Sequence, residues 1–380
     1  MYSNELLTTL GDYKITGNTF RYTSFIPKLY NLCKEMNFEK SRILPSRAFC
    51  VDENQGFPTT VIKKHFGIFP FIHGLGGGVF ATDRHKAYSH HGNDFVIIHA
   101  SHVGYDPVSK EFGTYKRLQT KNAKASPTCG KICAIINWYQ KEYEFAKNRI
   151  FLQLHDNEQL ISIDNQFLKN DREEGLFLNL SKLIRLDDGG IAKPFRSYST
   201  SKAYKISDYL KSLLKSYEWK GGKGEKIDDK LFSDLFYFIK KLHHKLEGHD
   251  HLERNLIDFM PHIVSSRYPA LTAAMITTQI EFDRASRSIA QETEYNDKKI
   301  LYVSGLNIDI SPKEGQLFPL TEFVPWAAYF QDSNGYHYTL EQHELVEKLR
   351  VQSEENPDQI DLEEAIKSAI SEEKITIDVD

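Results

Sequence analysis

Cysteine is scarce in this chain, with four residues among 380, too few to form a disulfide scaffold for a protein of this size. The first residues show no basic segment followed by an apolar one, so we expect no secretory signal and a cytoplasmic protein with reduced thiols. Each cysteine is then a candidate metal ligand, nucleophile or core residue. The four are Cys33, Cys50, Cys129 and Cys133.

Long apolar runs and low-complexity segments do not occur either. No stretch reaches the roughly 18 apolar residues that a membrane-spanning helix needs. With 22 glycines and 13 prolines the chain is not fibrous, and with 40% hydrophobic and 12% aromatic residues it is not disordered. These absences leave a globular protein with a large core and no membrane span.

The net charge of −4 is unevenly placed. Residues 353–380 contain ten acidic residues against two lysines, a local charge of −8, so the rest of the chain sums to +4. No basic face stands out in that remainder, and we therefore expect no nucleic-acid partner.

Apolar runs typical of strands alternate with helix-like segments. Strands are predicted over residues 42–51, 94–100, 150–163 and 299–310. Helices are predicted over residues 129–148, with Thr128 as a candidate N-cap, over residues 207–246 apart from a flexible glycine-rich hinge at residues 221–224, and over residues 265–293. This order predicts an α/β fold with a central, mostly parallel sheet flanked by helices.

The domain organisation follows from the same pattern. We expect one α/β domain over residues 1–330, in which residues 150–260 form a largely helical insertion. Beyond Trp326 we expect peripheral chain, with an acidic C-terminal extension over residues 331–380.

Three residues stand out by their positions relative to these elements. Cys50 closes the first strand, His102 follows the second, and Cys129 lies at a helix N-terminus, where free N–H groups favour a thiolate. Two thiolates and one imidazole with an open fourth position are typical of a catalytic zinc site. Asp52, two residues past Cys50, would fill that position or accept a hydrogen bond from a water on the zinc.

Other residues compete for these roles. Cys133, one helical turn after Cys129, is an alternative ligand or a buried thiol. Cys33 is expected to be a packing or surface residue, and His99 a core histidine. Residues 74–78, rich in glycine, do not match a phosphate-binding loop, and we expect them to line a tight pocket. Histidines near that loop could carry protons to solvent or could simply be solvated side chains. A histidine-rich run at residues 243–251 could be a second metal-binding cluster or the polar end of a helix. The loop histidines are His73, His85, His90 and His91.

The order of these motifs resembles that of the limiting-CO2-inducible B protein (LCIB) family, a divergent branch of the β-carbonic anhydrases. The matching segments are residues 50–53, 74–78, 101–104 and 128–130, followed more loosely by residues 303–308 and 318–320. The resemblance implies a β-carbonic-anhydrase-like fold and a homodimer. It also implies Zn²⁺ held by Cys50, His102 and Cys129, with Asp52 as the catalytic carboxylate and CO2 and bicarbonate as substrate and product.

The chain departs from that pattern at one position. β-Carbonic anhydrases pair this aspartate with an arginine two residues later, where this chain has Asn54. The candidates for a substitute partner are Arg47, Arg84 and Arg117. Three hypotheses stay open: a zinc-dependent carbonic anhydrase, a catalytically silent zinc-binding scaffold of the same fold, and a thiol enzyme with Cys50 or Cys129 as nucleophile and His102 as base.

Overall fold

The computed structural model describes residues 10–80, 94–117, 125–168, 173–217, 219, 223–226, 233–239, 249–316 and 320–372. The chain forms two compact units. One contains Pro127–Ile276, and the other combines Thr9–Ser126 with Thr277–Asp380. No helix of the described chain is both long enough and apolar enough to cross a membrane.

The strands of the described residues are numbered in chain order. They are β1 (Phe20–Arg21), β2 (Ile43–Phe49), β3 (Phe71–Ile72), β4 (Asp94–Asp106), β5 (Glu111–Phe112), β6 (Thr114–Tyr115), β7 (Ser126–Pro127), β8 (Ile150–His155), β9 (Glu158–Asp164), β10 (Gly175–Leu178), β11 (Arg196–Ser197), β12 (Ser201–Lys205), β13 (Lys223–Lys226), β14 (Phe236–Ile239), β15 (Ile300–Ile310), β16 (Leu320–Gln331) and β17 (His337–Leu340).

The α-helices are numbered in the same way. They are α1 (Tyr22–Glu35), α2 (Gly56–Phe66), α3 (Gly130–Lys147), α4 (Asn165–Leu168), α5 (Leu180–Leu183), α6 (Asp208–Ser216), α7 (His249–Leu256), α8 (Met260–Ser265), α9 (Pro269–Gln291), α10 (Gln342–Val351) and α11 (Leu362–Ser371).

A sheet with the order β1-β16-β15-β4-β2-β3 organises the unit that begins at Thr9. Its inner pairs β15–β4, β4–β2 and β2–β3 are parallel, whereas β16 joins β15 antiparallel. Side chains of α1, α2 and α10 cover one face, and the part of α9 in this unit covers the other. The predicted α/β fold with a central, mostly parallel sheet is confirmed.

Strand β4 is longer than its apolar run. It pairs with β15 without interruption from Phe95 to Tyr105. His102 therefore lies inside the strand, whereas the sequence predicted that it follows the strand. The polar side chains that follow Ala100 are tolerated in a buried strand because they are hydrogen-bonded. Ser101 contacts the Thr278 hydroxyl, and His102 contacts the Asp309 carboxylate.

The chain beyond Trp326 is not peripheral, in contrast to the prediction. Trp326 itself lies in β16, and β17 extends the sheet beside it. Leu345 and Leu349 of α10 are fully buried in the core. Farther on, the Asn356 amide contacts His65, and the Ile360 N–H donates to the Lys64 carbonyl. Only the acidic helix α11, among the described residues after 331, buries none of its side chains.

The second unit contains a sheet with the order β11-β12-β9-β8-β13 and a two-stranded β10–β14 ribbon. In place of the largely helical interval predicted for residues 150–260, its described residues therefore hold seven strands. Residues 150–163 form a hairpin, β8 and β9, which turns at Asp156 and Asn157, both with positive φ. Of the helix predicted over 207–246, the described residues hold α6 and a short helical stretch at residues 233–235. Residues 236–239 form β14 instead, because their aromatic side chains belong to a strand that pairs with β10 about 60 positions earlier.

Candidate metal centre

Cys50 lies directly after β2, at the carboxyl end of a parallel strand, and is buried. Its Sγ accepts a hydrogen bond from the backbone N–H of Gly77 at 3.2 Å. A backbone donor of this kind favours the thiolate over the neutral thiol. The glycine-rich loop therefore supports the charge state that a metal ligand requires.

Two glycines allow that loop to approach the end of β2 and the middle of β4. A Cβ at Gly74 would lie 1.8 Å from the carbonyl oxygen of Phe49, the residue before Cys50. A Cβ at Gly78, whose φ is +81°, would lie 2.5 Å from the carbonyl oxygen of Ala100 and 2.6 Å from the Cα of Ser101. The loop thus packs backbone against backbone, and the tight pocket that we expect it to line stays a prediction.

His99, a buried residue of β4, holds the same loop through a hydrogen bond to Gly78. Its Nε2 lies 2.7 Å from the Gly78 carbonyl oxygen, which only accepts, so Nε2 carries the proton and Nδ1 accepts from the Ser304 hydroxyl at 2.7 Å. The imidazole is fully buried, and burial lowers the pKa of His99 to about 4. The prediction of a satisfied core histidine is confirmed.

His102 is fully buried, and a carboxylate orients it. Its Nδ1 lies 2.7 Å from Oδ2 of Asp309, which is also fully buried. Because a carboxylate accepts hydrogen bonds, Nδ1 donates, and Nε2 is the nitrogen that can offer a lone pair to a metal ion. A carboxylate behind a ligating histidine is a common second partner in metal sites.

Cys129 is the N-cap of α3, which begins at Gly130, so the cap lies one residue later than the predicted Thr128. The Cys129 carbonyl accepts the first helical hydrogen bond, from the Cys133 N–H at 3.0 Å. The Cys129 side chain is buried at the positive end of the helix dipole, where a thiolate is stabilised.

The structure brings these three side chains together. One ligand atom from each of Cys50, His102 and Cys129 lies within 4.8 Å of the others, and all three residues are buried. In a tetrahedral zinc site, bonds of about 2.0–2.3 Å place ligand atoms roughly 3.3–3.8 Å apart. Two thiolates and one imidazole suit zinc, and their spacing fits one ion after small side-chain movements.

Asp52 lies two residues beyond Cys50 and is only partly buried. It caps the short 3₁₀ turn Glu53–Gln55, and its carboxylate accepts from the Asn54 N–H at 3.3 Å. Burial raises the pKa of Asp52 to about 6, and the nearby charge of protonated His102 opposes that rise. Its carboxylate is not a member of the gathered group of ligand atoms.

The candidate arginine partners of Asp52 lie elsewhere or outside the described residues. Arg117 pairs with Glu53, at 2.8 Å between Nε and Oε1. Arg47 projects from β2, with its guanidinium 5.8 Å from the ring centre of Phe49. Arg84 falls outside the described residues. Within the chain that the structure describes, no ion pair reaches Asp52.

The other cysteines and histidines that the sequence offered as candidates lie outside the gathered ligand group or outside the described residues. Cys33 is fully buried, where burial raises the pKa of its thiol, and Cys133 is partly exposed and lies outside the gathered group. His73 is buried beside the Phe80 ring, which differs from the solvated loop side chain predicted for it. His85, His90, His91 and most of the run 243–251 fall outside the described residues.

Asp309 and its neighbours were not among the predicted site residues. Asp309, Asn307 and Gln55 are buried polar side chains that surround His102. One signal was available, because Asn307 and Asp309 interrupt an otherwise apolar strand. The signal did not identify a partner, since His102 and Asp309 are 207 positions apart.

Residues 19–174 match the family model of limiting CO2-inducible proteins B/C, beta carbonic anhydrases. Residues 19–174, a segment that contains Cys50, His102 and Cys129, thus belong to the LCIB family. The resemblance drawn from the motifs is thereby confirmed, and the β-carbonic-anhydrase-like fold agrees with it. A search of curated proteins found no match.

Solved structures similar to this chain are distant from it in sequence. A homolog of the limiting CO2-inducible protein LCIB has 12% identity and a TM-score of 0.49, covering 88% of this chain and 99% of its own. The crystal structure of LCIB has 11% identity and a TM-score of 0.42, covering 90% of this chain and 100% of its own.

Proposed function

We propose that this chain is a zinc-dependent carbonic anhydrase that interconverts CO2 and bicarbonate, with Cys50, His102 and Cys129 as the metal ligands. The gathering of two cysteines and one histidine within 4.8 Å is the observation that carries the proposal. The family description as beta carbonic anhydrases supports the same activity.

Each side chain has a distinct task in this proposal. Bound zinc supplies hydroxide at neutral pH, because it lowers the pKa of water from about 15.7 to near 7. The Gly77 N–H holds Cys50 as a thiolate, and Asp309 holds His102 with Nε2 free of its proton. Asp52, which is partly exposed and lies three residues past the end of β2, would accept a hydrogen bond from the attacking oxygen and orient it toward CO2.

The alternative is a catalytically silent scaffold of the same fold that binds zinc. The ion pair between Arg117 and Glu53 favours it, because among the described residues no arginine forms an ion pair with Asp52, whereas β-carbonic anhydrases supply one. An unpaired Asp52 would take the open zinc position in place of water and would block the reaction.

Elemental analysis and a CO2 hydration assay on the same preparation test both the enzyme and the scaffold hypothesis. The proposal expects about one zinc per chain and hydration well above the uncatalysed rate. Bound zinc without CO2 hydration would contradict the carbonic-anhydrase proposal and favour the zinc-binding scaffold. A preparation that contains no zinc after exposure to excess Zn²⁺ would contradict both hypotheses.

We also propose that the chain forms a homodimer through the β3 edge of its sheet. Among the described strands β3 is terminal, with β2 as its neighbour, and an exposed strand edge readily pairs with another chain. Large apolar side chains beside this edge are exposed, which is typical of a protein interface. They are Val51, Ile68, Phe69, Phe71, Ile72 and Leu75.

Sedimentation of an Ile72→Lys variant tests the dimer. Ile72 is 60% exposed, so the substitution leaves the core intact but places a charge in the interface. We expect a monomer, whereas Val108→Lys, at an 83% exposed site in the connection between β4 and β5, should remain dimeric. A monomeric wild-type protein, or a dimeric Ile72→Lys variant, would contradict the proposed interface.

A further inference from the structure

We infer that Asp309 is a positioning residue that fixes the proton of His102 on Nδ1 and thereby sets the metal affinity of the centre. The inference rests on the proposed metal site. It concerns a residue 207 positions from His102, on a different strand.

Asp309 receives hydrogen bonds from three directions. His102 Nδ1 lies 2.7 Å from Oδ2, the Thr321 hydroxyl donates to Oδ1 at 3.0 Å, and the Gln55 amide nitrogen lies 3.2 Å from both oxygens. All four side chains are buried. These donors compensate a buried carboxylate charge and hold its oxygens in one orientation.

The sheet register explains how the group assembles. His102 of β4 stands beside Asn307 of β15, two residues before Asp309, and Thr321 of β16 is the register partner of Asp309. Gln55 comes from the 3₁₀ turn that follows Cys50. Asp309 therefore connects the strand that carries one proposed ligand with the segment that carries another.

The hydrogen bonds form a chain with a single direction. The Tyr22 hydroxyl donates to Asn307 Oδ1 at 2.6 Å, and Asn307 Nδ2 donates to Gln55 Oε1 at 2.5 Å. The Gln55 amide nitrogen then donates to Asp309. Because each amide accepts on one side and donates on the other, every proton points toward the Asp309 carboxylate. The Gln55 amide nitrogen also lies 3.5 Å from His102 Nδ1, but its contacts with the two Asp309 oxygens are shorter, at 3.2 Å, and the His102–Asp309 contact is the shortest, at 2.7 Å.

This arrangement has a consequence for metal binding. A carboxylate on Nδ1 keeps the lone pair on Nε2 and makes the imidazole a better donor, and loss of such a partner typically weakens metal binding by about 10- to 100-fold. A merely structural Asp309 would support the sheet without biasing the imidazole proton.

The tautomer of His102 in metal-free protein distinguishes these roles. Long-range ¹H–¹⁵N NMR on histidine-labelled protein, assigned with a His102→Gln variant, should show the Nδ1–H form in the wild type. In Asp309→Asn the new amide can donate to Nδ1, so we expect the Nε2–H form or a mixture. An unchanged Nδ1–H form in this variant would overturn the inference.

Zinc affinity, measured by competition with a chromophoric chelator, gives the second readout. Asp309→Asn should bind zinc about 10- to 100-fold more weakly than wild type. Asp94→Asn is the matched control, since Asp94 is a buried aspartate of β4 whose Oδ1 accepts from the Lys299 N–H. It should retain wild-type affinity.

A milder variant covers the case in which Asp309→Asn does not fold. Thr321→Val removes one donor to Asp309 with little change in shape, and it should weaken zinc binding by less than Asp309→Asn would. Wild-type affinity in the folded Asp309 or Thr321 variants would overturn the inference but leave the zinc site intact. Failure of the wild type to bind zinc would overturn the proposed function itself.

Discussion

Arg117 pairs with Glu53 and not with Asp52, the residue immediately before it. Both side chains of the pair are more than half exposed, at 59% and 57%. An exposed ion pair of this kind contributes less than about 1 kcal/mol to stability. The geometry therefore excludes Arg117 from the role that an arginine has beside this aspartate in β-carbonic anhydrases.

The first prediction follows from this pairing. Arg117→Ala should leave the rate of CO2 hydration within about twofold of wild type and should lower the free energy of unfolding by less than about 1 kcal/mol. Stopped-flow hydration and urea unfolding measure the two quantities. A loss of hydration of tenfold or more, with zinc retained, would show that Arg117 moves to Asp52 during catalysis.

The second prediction concerns the thiols. Thiolates bound to zinc should resist alkylation until a chelator is added, so Cys50 and Cys129 should react only after chelation. Cys133, which is partly exposed, should react in both states, and fully buried Cys33 should react in neither native state. Mass spectrometry of alkylated peptides measures each site. Rapid modification of Cys50 or Cys129 in zinc-loaded protein would favour the thiol-enzyme hypothesis.

Chelation should also destabilise the protein. Removing a ligand that binds only the folded state costs roughly 3–4 kcal/mol when free zinc exceeds its dissociation constant by 100- to 1,000-fold. Thermal melts with and without chelator should therefore separate for the wild type and coincide for Cys50→Ser. Cys133→Ser, as the matched control, should behave as the wild type.

The third prediction concerns the glycine loop. Gly78→Ala places a Cβ 2.5 Å from the Ala100 carbonyl oxygen at a φ of +81°, so the backbone must shift. We expect a loss of roughly 1–3 kcal/mol in unfolding free energy, with weaker zinc binding because the Gly77 N–H moves away from Cys50. Gly56→Ala is the control, since nothing lies within 4 Å of its Cβ position and its φ is −70°. Equal changes in unfolding free energy and zinc binding for both substitutions would show that the loop accommodates a Cβ at Gly78 without loss of stability.

The strands that carry the candidate site were predictable because their cores are local apolar runs. Residues 42–51 and 299–310 were predicted as strands, and β2 and β15 lie within them. The extension of β4 past Ala100 was not predictable in this way, because it depends on hydrogen-bond partners on β15 and α9 for its polar side chains. Local pattern also overestimated helix in the second unit, where β14 depends on pairing with β10.

The candidate ligands show the same division. Cys50 and Cys129 could be proposed from their positions at element ends and from the family motifs. His102 could be proposed from the same motifs and from its position just after an apolar run, although the strand continues past it. Asp309 could not, because its relation to His102 exists only once β4 and β15 are parallel and in register. Roles that depend on long-range register are therefore the ones that sequence reasoning missed.

The fourth prediction is a loss of stability on acidification, caused by His99. Burial lowers the pKa of His99 to about 4 in the folded state, with Glu281 and Arg284 of α9 acting in opposite directions, while the ordinary value is 6.5. Between these values the unfolded chain binds a proton that the folded chain does not, so stability falls as pH decreases from about 6.5 to 4 and is fully present above 6.5.

From pH 7 to pH 5 this group alone should cost about 2 kcal/mol. Urea unfolding at both pH values measures the loss. His99→Gln, which keeps a donor toward Gly78, should reduce the difference between the two values, although it lowers the stability at pH 7. His343→Gln, at a side chain 72% exposed, should leave the difference unchanged. An identical pH dependence in wild type and His99→Gln would show that the imidazole takes up its proton without unfolding.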